Sequence, residues 1–238
     1  MKLRHFLAAL AAAFACLGVA HADTASVRRE LQQHVPNFPP SAKVFSTPYS
    51  GLYEVDIGDQ VFYTDATARY VFSGDILDTH TGANLTRLRV QQLQRVDWNK
   101  LPWKDSFVVK YGQGARQIAV FEDPYCPYCR VLDKTLERIG NLTVHVFLLP
   151  VISPRSPAKA RQIWCAPDRG QAWQAWMGEH KEPPPAPAHC DSSVLQANLK
   201  LGQSLDIQST PTMFLRDGTR ISGALQQADL VRQLDAVR

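Results

Sequence analysis

The sequence predicts two domains of different make-up: a small α+β module at the N-terminus, joined by a linker helix to a larger α/β domain that carries a helical insertion. Three observations predict it. Residues 52–77 hold short strands with turn residues between them. From Ile118 to Pro150 an apolar strand, an amphipathic helix and a second apolar strand follow one another, the order of a βαβ unit. Helical periodicity from Ser156 to about Leu205 then interrupts the strand pattern before it resumes near Pro211. The boundaries expected are a leader at 1–22, a module at 23–82, a connector at 83–104 and the larger domain at 105–238, with the insertion at about 154–206.

The leader has a basic stub (Lys2, Arg4), an apolar run from Phe6 to Ala20, and the small-x-small ending Ala20-His21-Ala22. This predicts cleavage after Ala22 and export to an oxidising compartment. The run is short for a membrane span, which makes a retained anchor the competing reading. A lipoprotein anchored at Cys16 fits worse, because Ala13-Phe14-Ala15 is a poor lipobox. The formal net charge of the whole chain is only +4. Removal of the leader takes away two more cations, so nothing in the charge argues for nucleic acid or an anionic membrane.

Behind the leader, Val27 to Val35 reads as a short amphipathic segment that ends at Pro36. Leu52–Ile57 alternates apolar and polar, Gly58-Asp59 turns, and Val61-Phe62-Tyr63 returns. Arg69–Phe72 and Ile76-Leu77 complete a meander. A module this small rarely buries enough apolar surface to stand alone, and unblunted edge strands invite another chain. A dimerising platform is expected, with an extra layer on the main domain as the alternative. Asn84 to Trp98 reads as a helix with Leu85, Leu88, Leu93 and Val96 on one face, closed by Pro102.

The chemistry centres on Cys126-Pro127-Tyr128-Cys129. The strand ending at Phe121 is broken by Pro124, and the periodic segment Val131–Ile139 is a helix whose first turn carries both cysteines. Free N–H groups and partial positive charge at a helix start favour thiolate over thiol. A cysteine there becomes a nucleophile near neutral pH. A second cysteine one turn on can close a small disulfide with it, so the pair can be attacked, exchanged and re-formed. A zinc site would need a second Cys/His pair at ligand spacing, and none follows. No metal or other cofactor is expected. A purely structural disulfide is the remaining bland reading.

Leu142–Leu149 reads as a strand buried on both faces. His145 within it is assigned no role. Ser156-Pro157 suits the start of a helix through Cys165. Arg169–Met177 and Ser192 to Leu205 are two more helices, separated by the proline-rich loop 183–187. Cys165 and Cys190 read as a static staple across this insertion, worth about 3.5 kcal/mol by loop entropy, with a second exchanging pair as the alternative. Thr210-Pro211 opens a late strand and leaves backbone groups free to pair with something else. Asp217-Gly218 turns the chain, and Leu225 to Val237 is a closing amphipathic helix.

With Cys-x-x-Cys at a helix start and Thr210-Pro211 opening a late strand, residues 105–238 resemble the thioredoxin superfamily. The N-terminal module, the helical connector, Phe121 through Cys129, Ile163-Trp164-Cys165-Ala166, Cys190-Asp191 and Ser209-Thr210-Pro211-Thr212 together resemble the DsbC/DsbG family of periplasmic thiol:disulfide interchange proteins. The resemblance covers essentially the whole chain after residue 22. It implies a thioredoxin fold on a V-shaped homodimer, with Cys126, exposed at the helix start, as nucleophile and Cys129 as the resolving thiol. Pro211 would be cis, and Thr210, Pro211, Pro127 and Tyr128 would touch the substrate. The clients would be misfolded, disulfide-containing exported proteins, and the electron donor an inner-membrane reductase of the DsbD kind. Pro127-Tyr128 is the DsbG-like dipeptide, whereas a Cys165–Cys190 staple matches DsbC. An isomerase is therefore favoured over a DsbG-like chaperone that protects single cysteines, and the N-terminal module disfavours a monomeric DsbA-like oxidase. Val120 stands six residues before Cys126, where cytosolic thioredoxins carry a buried acid, which weakens a pure reductase reading.

Overall fold

A computed structural model describes residues 23–49 and 51–237. The leader read at 1–22 lies outside the described residues. The chain divides into two compact units, between Thr86 and Arg87.

In the first unit, helix α1 (Thr24–His34) is capped by Asp23, whose carboxylate accepts the Ser26 N–H at 2.6 Å. It buries Val27 and Leu31 against Tyr53 and Val55 of an antiparallel sheet and Ala68 of a turn. The sheet runs β1 (Lys43–Ser46), β2 (Leu52–Ile57), β3 (Gln60–Asp65), β4 (Val71–Phe72) in that order. The hairpin read at Gly58-Asp59 is the β2–β3 turn, with Ile57 opposite Gln60. The strand read over Arg69–Phe72 keeps only its last two residues. Asp65 takes the Tyr70 N–H at 2.9 Å and holds the preceding residues in a turn. Ile76-Leu77 forms a single bridge, Leu77 to Asn84, rather than a strand.

Helix α2 (Leu85–Leu93) is shorter than the helix read from Asn84 to Trp98, and it is rotated from the expected face. Leu88, expected on the apolar face, is exposed, and Thr86 is buried. The cause is local: the Thr86 hydroxyl lies 2.7 Å from the Tyr63 hydroxyl and accepts the Ile76 N–H at 2.9 Å. Past Leu93 the chain leaves the helix because Val96 N–H bonds the Gly218 carbonyl at 3.1 Å. Trp98, Leu101 and Trp103 then pack with Phe121, Phe147 and Phe214 in the second unit.

That unit is built on a mixed sheet ordered β5 (Phe107–Tyr111), β7 (Leu142–Leu148), β6 (Arg116–Glu122), β8 (Thr212–Leu215), β9 (Arg220–Ser222). β6 and β7 run parallel, joined by α3 (Pro127–Ile139), the expected βαβ unit. β5, β8 and β9 pair antiparallel with their neighbours. This is the thioredoxin-type core that the resemblance implies. The insertion comprises α4 (Ser156–Trp164), α5 (Arg169–Glu179) and α6 (Val194–Ser204), and α7 (Gln227–Ala236) closes the chain. One core lies between the sheet and α3, α5 and α7, around Ile118, Val120, Leu132, Leu136, Trp173 and Leu230. Cys165 and Cys190 are bonded, with their Cα atoms 5.9 Å apart, and staple the end of α4 to the approach of α6. Among the described residues no helix is long and apolar enough to cross a membrane.

Candidate active site

The site is assembled where β6 runs out. Asp123, just past the strand, is fully buried and its carboxylate accepts four hydrogen bonds. Oδ1 takes the Tyr125 N–H at 2.7 Å and the Ser156 hydroxyl at 2.8 Å. Oδ2 takes the Val151 and Ile152 N–H groups at 2.7 and 2.8 Å. One side chain thus fixes the loop before the cysteines, the loop after β7 and the start of α4. Ser156, read as a helix cap, is the first helical residue and spends its hydroxyl on Asp123 instead. Trp176 of α5 donates its indole N–H to the Pro124 carbonyl at 2.6 Å and packs edge-on against Tyr125.

Cys126 is the N-cap of α3, and its sulfur accepts the Cys129 N–H at 3.4 Å. Both cysteines are free thiols. The peptide between Thr210 and Pro211 is cis. The Thr210 carbonyl lies 3.2 Å from the Cys126 sulfur and accepts its proton in the thiol form. The structure therefore brings Cys126, Cys129, Thr210 and Pro211 together, with Pro127 and Tyr128 turned outward and Tyr128 66% exposed. Two expectations are corrected. Cys126 is not exposed: only 2% of it is accessible, because it lies in the core cluster with the Thr210 backbone against its sulfur. Nor are the loop carbonyls free, since Ser209, Thr210 and Pro211 receive the Thr212 hydroxyl, the Cys126 thiol and the Gly223 N–H.

Electrostatics separate the two sulfurs. A hydrogen bond from the Cys129 thiol is the largest influence on Cys126 and brings its pKa down to about 6. Burial opposes this, while the Thr210 side chain and the N–H groups of Cys129 and Tyr128 add to the lowering. Burial drives Cys129 far upward, helped by Cys126 and by the charge of Glu122. The outer sulfur is thus a thiolate at neutral pH and the inner one a thiol.

Glu122, the last residue of β6, was missed in the sequence. It is fully buried, and burial followed by the charges of Asp133 and Cys126 holds its carboxyl well above the usual range. A buried acid therefore does stand beside the resolving cysteine, two residues along from Val120. The available signal was an acid closing an apolar strand in the register of Ile118 and Val120, the side that faces α3. His145 packs against Trp103 with ring centroids 4.7 Å apart, and burial lowers its pKa. Among the described residues no group of three His, Cys, Asp or Glu side chains could hold a metal ion.

The chain is also similar to known proteins. A family described as the disulfide bond isomerase protein N-terminal domain matches residues 18–87, and a thioredoxin-like domain matches residues 103–238. A probable thiol:disulfide interchange protein DsbC of Bordetella parapertussis is 41% identical over 209 residues, covering 88% of this chain and 73% of that protein. The thiol:disulfide interchange protein DsbC of Escherichia coli K12 is 28% identical over 242 residues, covering 99% and 96%. A crystal structure of a disulfide interchange protein from Neisseria gonorrhoeae is similar with a TM-score of 0.55 and 29% identity, over 58% of this chain and 98% of that one.

Proposed function

We propose, since the chain belongs to the DsbC family of thiol:disulfide interchange proteins, that it is a periplasmic, homodimeric protein disulfide isomerase and reductase whose exchanging pair is Cys126 and Cys129. Cys126 attacks a mispaired disulfide of a client, forms a mixed disulfide and releases one client thiolate. A client thiol then displaces Cys126, which completes isomerisation. Alternatively Cys129 displaces the client, which leaves it reduced and the enzyme oxidised. Thr210 and Pro211 hold the client chain against the pair. Once Cys126 loses its proton, the Thr210 carbonyl loses its internal donor and becomes free to accept one from the client backbone. Pro127 and Tyr128 present the outer, apolar contact.

The observation that carries this reading is the asymmetry of the sulfurs, a thiolate with a pKa of about 6 at the head of α3 and a buried thiol one turn behind it. The oxidising compartment needs an electron source, and an inner-membrane thiol reductase of the DsbD kind fits the family. Dimerisation through the first unit is supported by its outer strand β4. That strand is short, and Tyr70, Val71 and Phe72 are all exposed on it or beside it. Refolding of scrambled ribonuclease tests the activity: the wild type restores native pairing and Cys126→Ala does not. Equal refolding by the two proteins overturns the proposal. Sedimentation of the chain lacking 1–22 tests the dimer, and a monomer overturns that part.

A further inference from the structure

The exchange chemistry leaves one cation beside the redox pair without a task. β6 and β7 run parallel, so the loops that follow them meet at the end of the sheet where α3 begins with Cys126. The first loop carries Tyr125, next to the nucleophile, and the second carries Val151, Ile152 and Arg155. The Asp123 carboxylate takes the Tyr125 N–H from one loop and the Val151 N–H, the Ile152 N–H and the Ser156 hydroxyl from the other, so a single group sets both in register. The Arg155 guanidinium lies over the Tyr125 ring, its carbon 4.6 Å from the ring centroid. Stacking restrains a long side chain that would otherwise sweep through solvent. Neighbouring cations are engaged within the protein. Arg130 donates to the Trp176 and Met177 carbonyls, both at 2.8 Å, and Lys159 pairs with Glu182. Arg155 is exposed, and among the described residues its guanidinium enters no hydrogen bond or ion pair. Glu122 and Asp123, the two acids closest to Cys126 in sequence, are fully buried. A planar donor fork that stays charged is thus held near the nucleophile with no anion of its own.

We propose that Arg155 is a specificity-determining residue that selects disulfide partners carrying a carboxylate near the attacked sulfur. The inference rests on the reading of Cys126 as the nucleophile of the exchanging pair. In the step concerned, the Cys126 thiolate attacks one sulfur of the partner's disulfide. The bond from Cys126 to that sulfur forms, the partner's own S–S bond breaks, and the other half leaves as a thiolate with the electron pair of that bond. Arg155 takes no part in these bond changes. It receives the carboxylate of the incoming half and so favours its approach to Cys126.

The rest of the loop narrows the partner. Val151 and Ile152 are 54% and 51% exposed, although their N–H groups are fixed inward on Asp123. Two exposed apolar side chains and one unpaired guanidinium on a short loop suit a client segment that is both apolar and acidic. A basic segment is disfavoured, because Arg155 repels its charge. Oxidised glutathione carries carboxylates but no apolar side chain, so it offers the charged half of this match alone.

The test uses the reduced full chain and three small disulfides: anionic oxidised glutathione, neutral 2-hydroxyethyl disulfide and cationic cystamine. Acid quenching at short times gives the rate of attack on each, and ratios to the neutral compound are compared between variants. Arg155→Gln is expected to lower the glutathione ratio roughly two- to fivefold at low ionic strength. The difference should shrink in about 0.5 M salt. Arg155→Glu should lower that ratio further and raise the cystamine ratio, and Arg155→Lys, which keeps the charge, should retain much of the preference. Two peptides supply the client arm, alike except for Glu or Lys two places from a cysteine bonded to 2-mercaptoethanol. Loss of a Glu-peptide preference in Arg155→Gln supports the site with client acids as its ligand, and a change confined to glutathione supports it with the small thiol instead. Ratios that do not move in either Arg155→Gln or Arg155→Glu would overturn the proposal, as would an equal slowing of every probe, which marks lost packing on Tyr125. A different result sinks the underlying pair assignment: Cys126→Ala reacting with 2-hydroxyethyl disulfide as fast as the wild type.

Discussion

The lowered pKa of Cys126 has one dominant source, and removing it is a quantitative trial of the site. The Cys129 thiol donates to the Cys126 sulfur, and this bond outweighs every other influence on it. A hydrogen bond to a charged group is worth roughly 1.5–3 kcal/mol, or about one to two pKa units. Cys129→Ala should therefore raise Cys126 from about 6 to roughly 7–8. Cys129→Ser keeps a donor and should leave it within about half a unit. The assay must read the titration itself, by ultraviolet thiolate absorbance, and not a rate at neutral pH. With a pKa of roughly 7.5, the thiolate fraction at pH 7 falls about fourfold, but each thiolate becomes about fivefold more nucleophilic, so the two effects cancel. At pH 5 the fraction falls about thirtyfold and alkylation should slow roughly sixfold. A Cys129→Ala protein that titrates like the wild type, or a Cys129→Ser protein that shifts as far as Cys129→Ala, would refute the assignment.

Four further outcomes are expected. Asp123→Asn puts an amide donor against N–H donors that now meet an acceptor, at Val151 and Ile152 or at Tyr125, and should cost about 2–4 kcal/mol in denaturant unfolding. Joint replacement of Cys165 and Cys190 by alanine should cost up to about 3.5 kcal/mol under oxidising conditions and leave Cys126 titration unchanged. Asp133 holds its proton up to about pH 8, whereas an unfolded carboxyl releases it near 3.8. Its contribution to stability is therefore present at low pH and lost as pH rises between those values, so Asp133→Asn should flatten the fall in stability across that window. Because Cys126 is 2% exposed, iodoacetamide should modify it at least about tenfold faster than a bulky maleimide of matched intrinsic reactivity.

The cysteine pair, the βαβ unit around it and the late Thr210-Pro211 strand were legible because each is encoded locally, by a spacing, a run or a proline. What escaped was set by partners distant in sequence. The connector helix stops at Leu93 because Gly218 takes the Val96 N–H, and a Cβ at Gly218 would stand 2.0 Å from the Val96 oxygen. No periodicity in residues 84–98 contains that contact. β1 and β5 are short strands on the outside of their sheets, recognisable only by what they pair with. Glu122 and Asp133 each looked like an ordinary polar residue at the end of a strand or on a helix. Glu122 is fully buried and Asp133 half-buried, which alternation and i,i+4 spacing allow but do not require. Burial of Cys126 was likewise invisible, since the Thr210 carbonyl that rests against its sulfur arrives from 84 residues away in sequence.

Asp123 gives this enzyme a fixed frame. Three chain segments converge on its carboxylate, and none of their anchoring bonds involves sulfur. Gain or loss of the Cys126–Cys129 bond therefore breaks none of the four bonds that hold this frame. A site framed this way needs no refolding of that frame between turnovers.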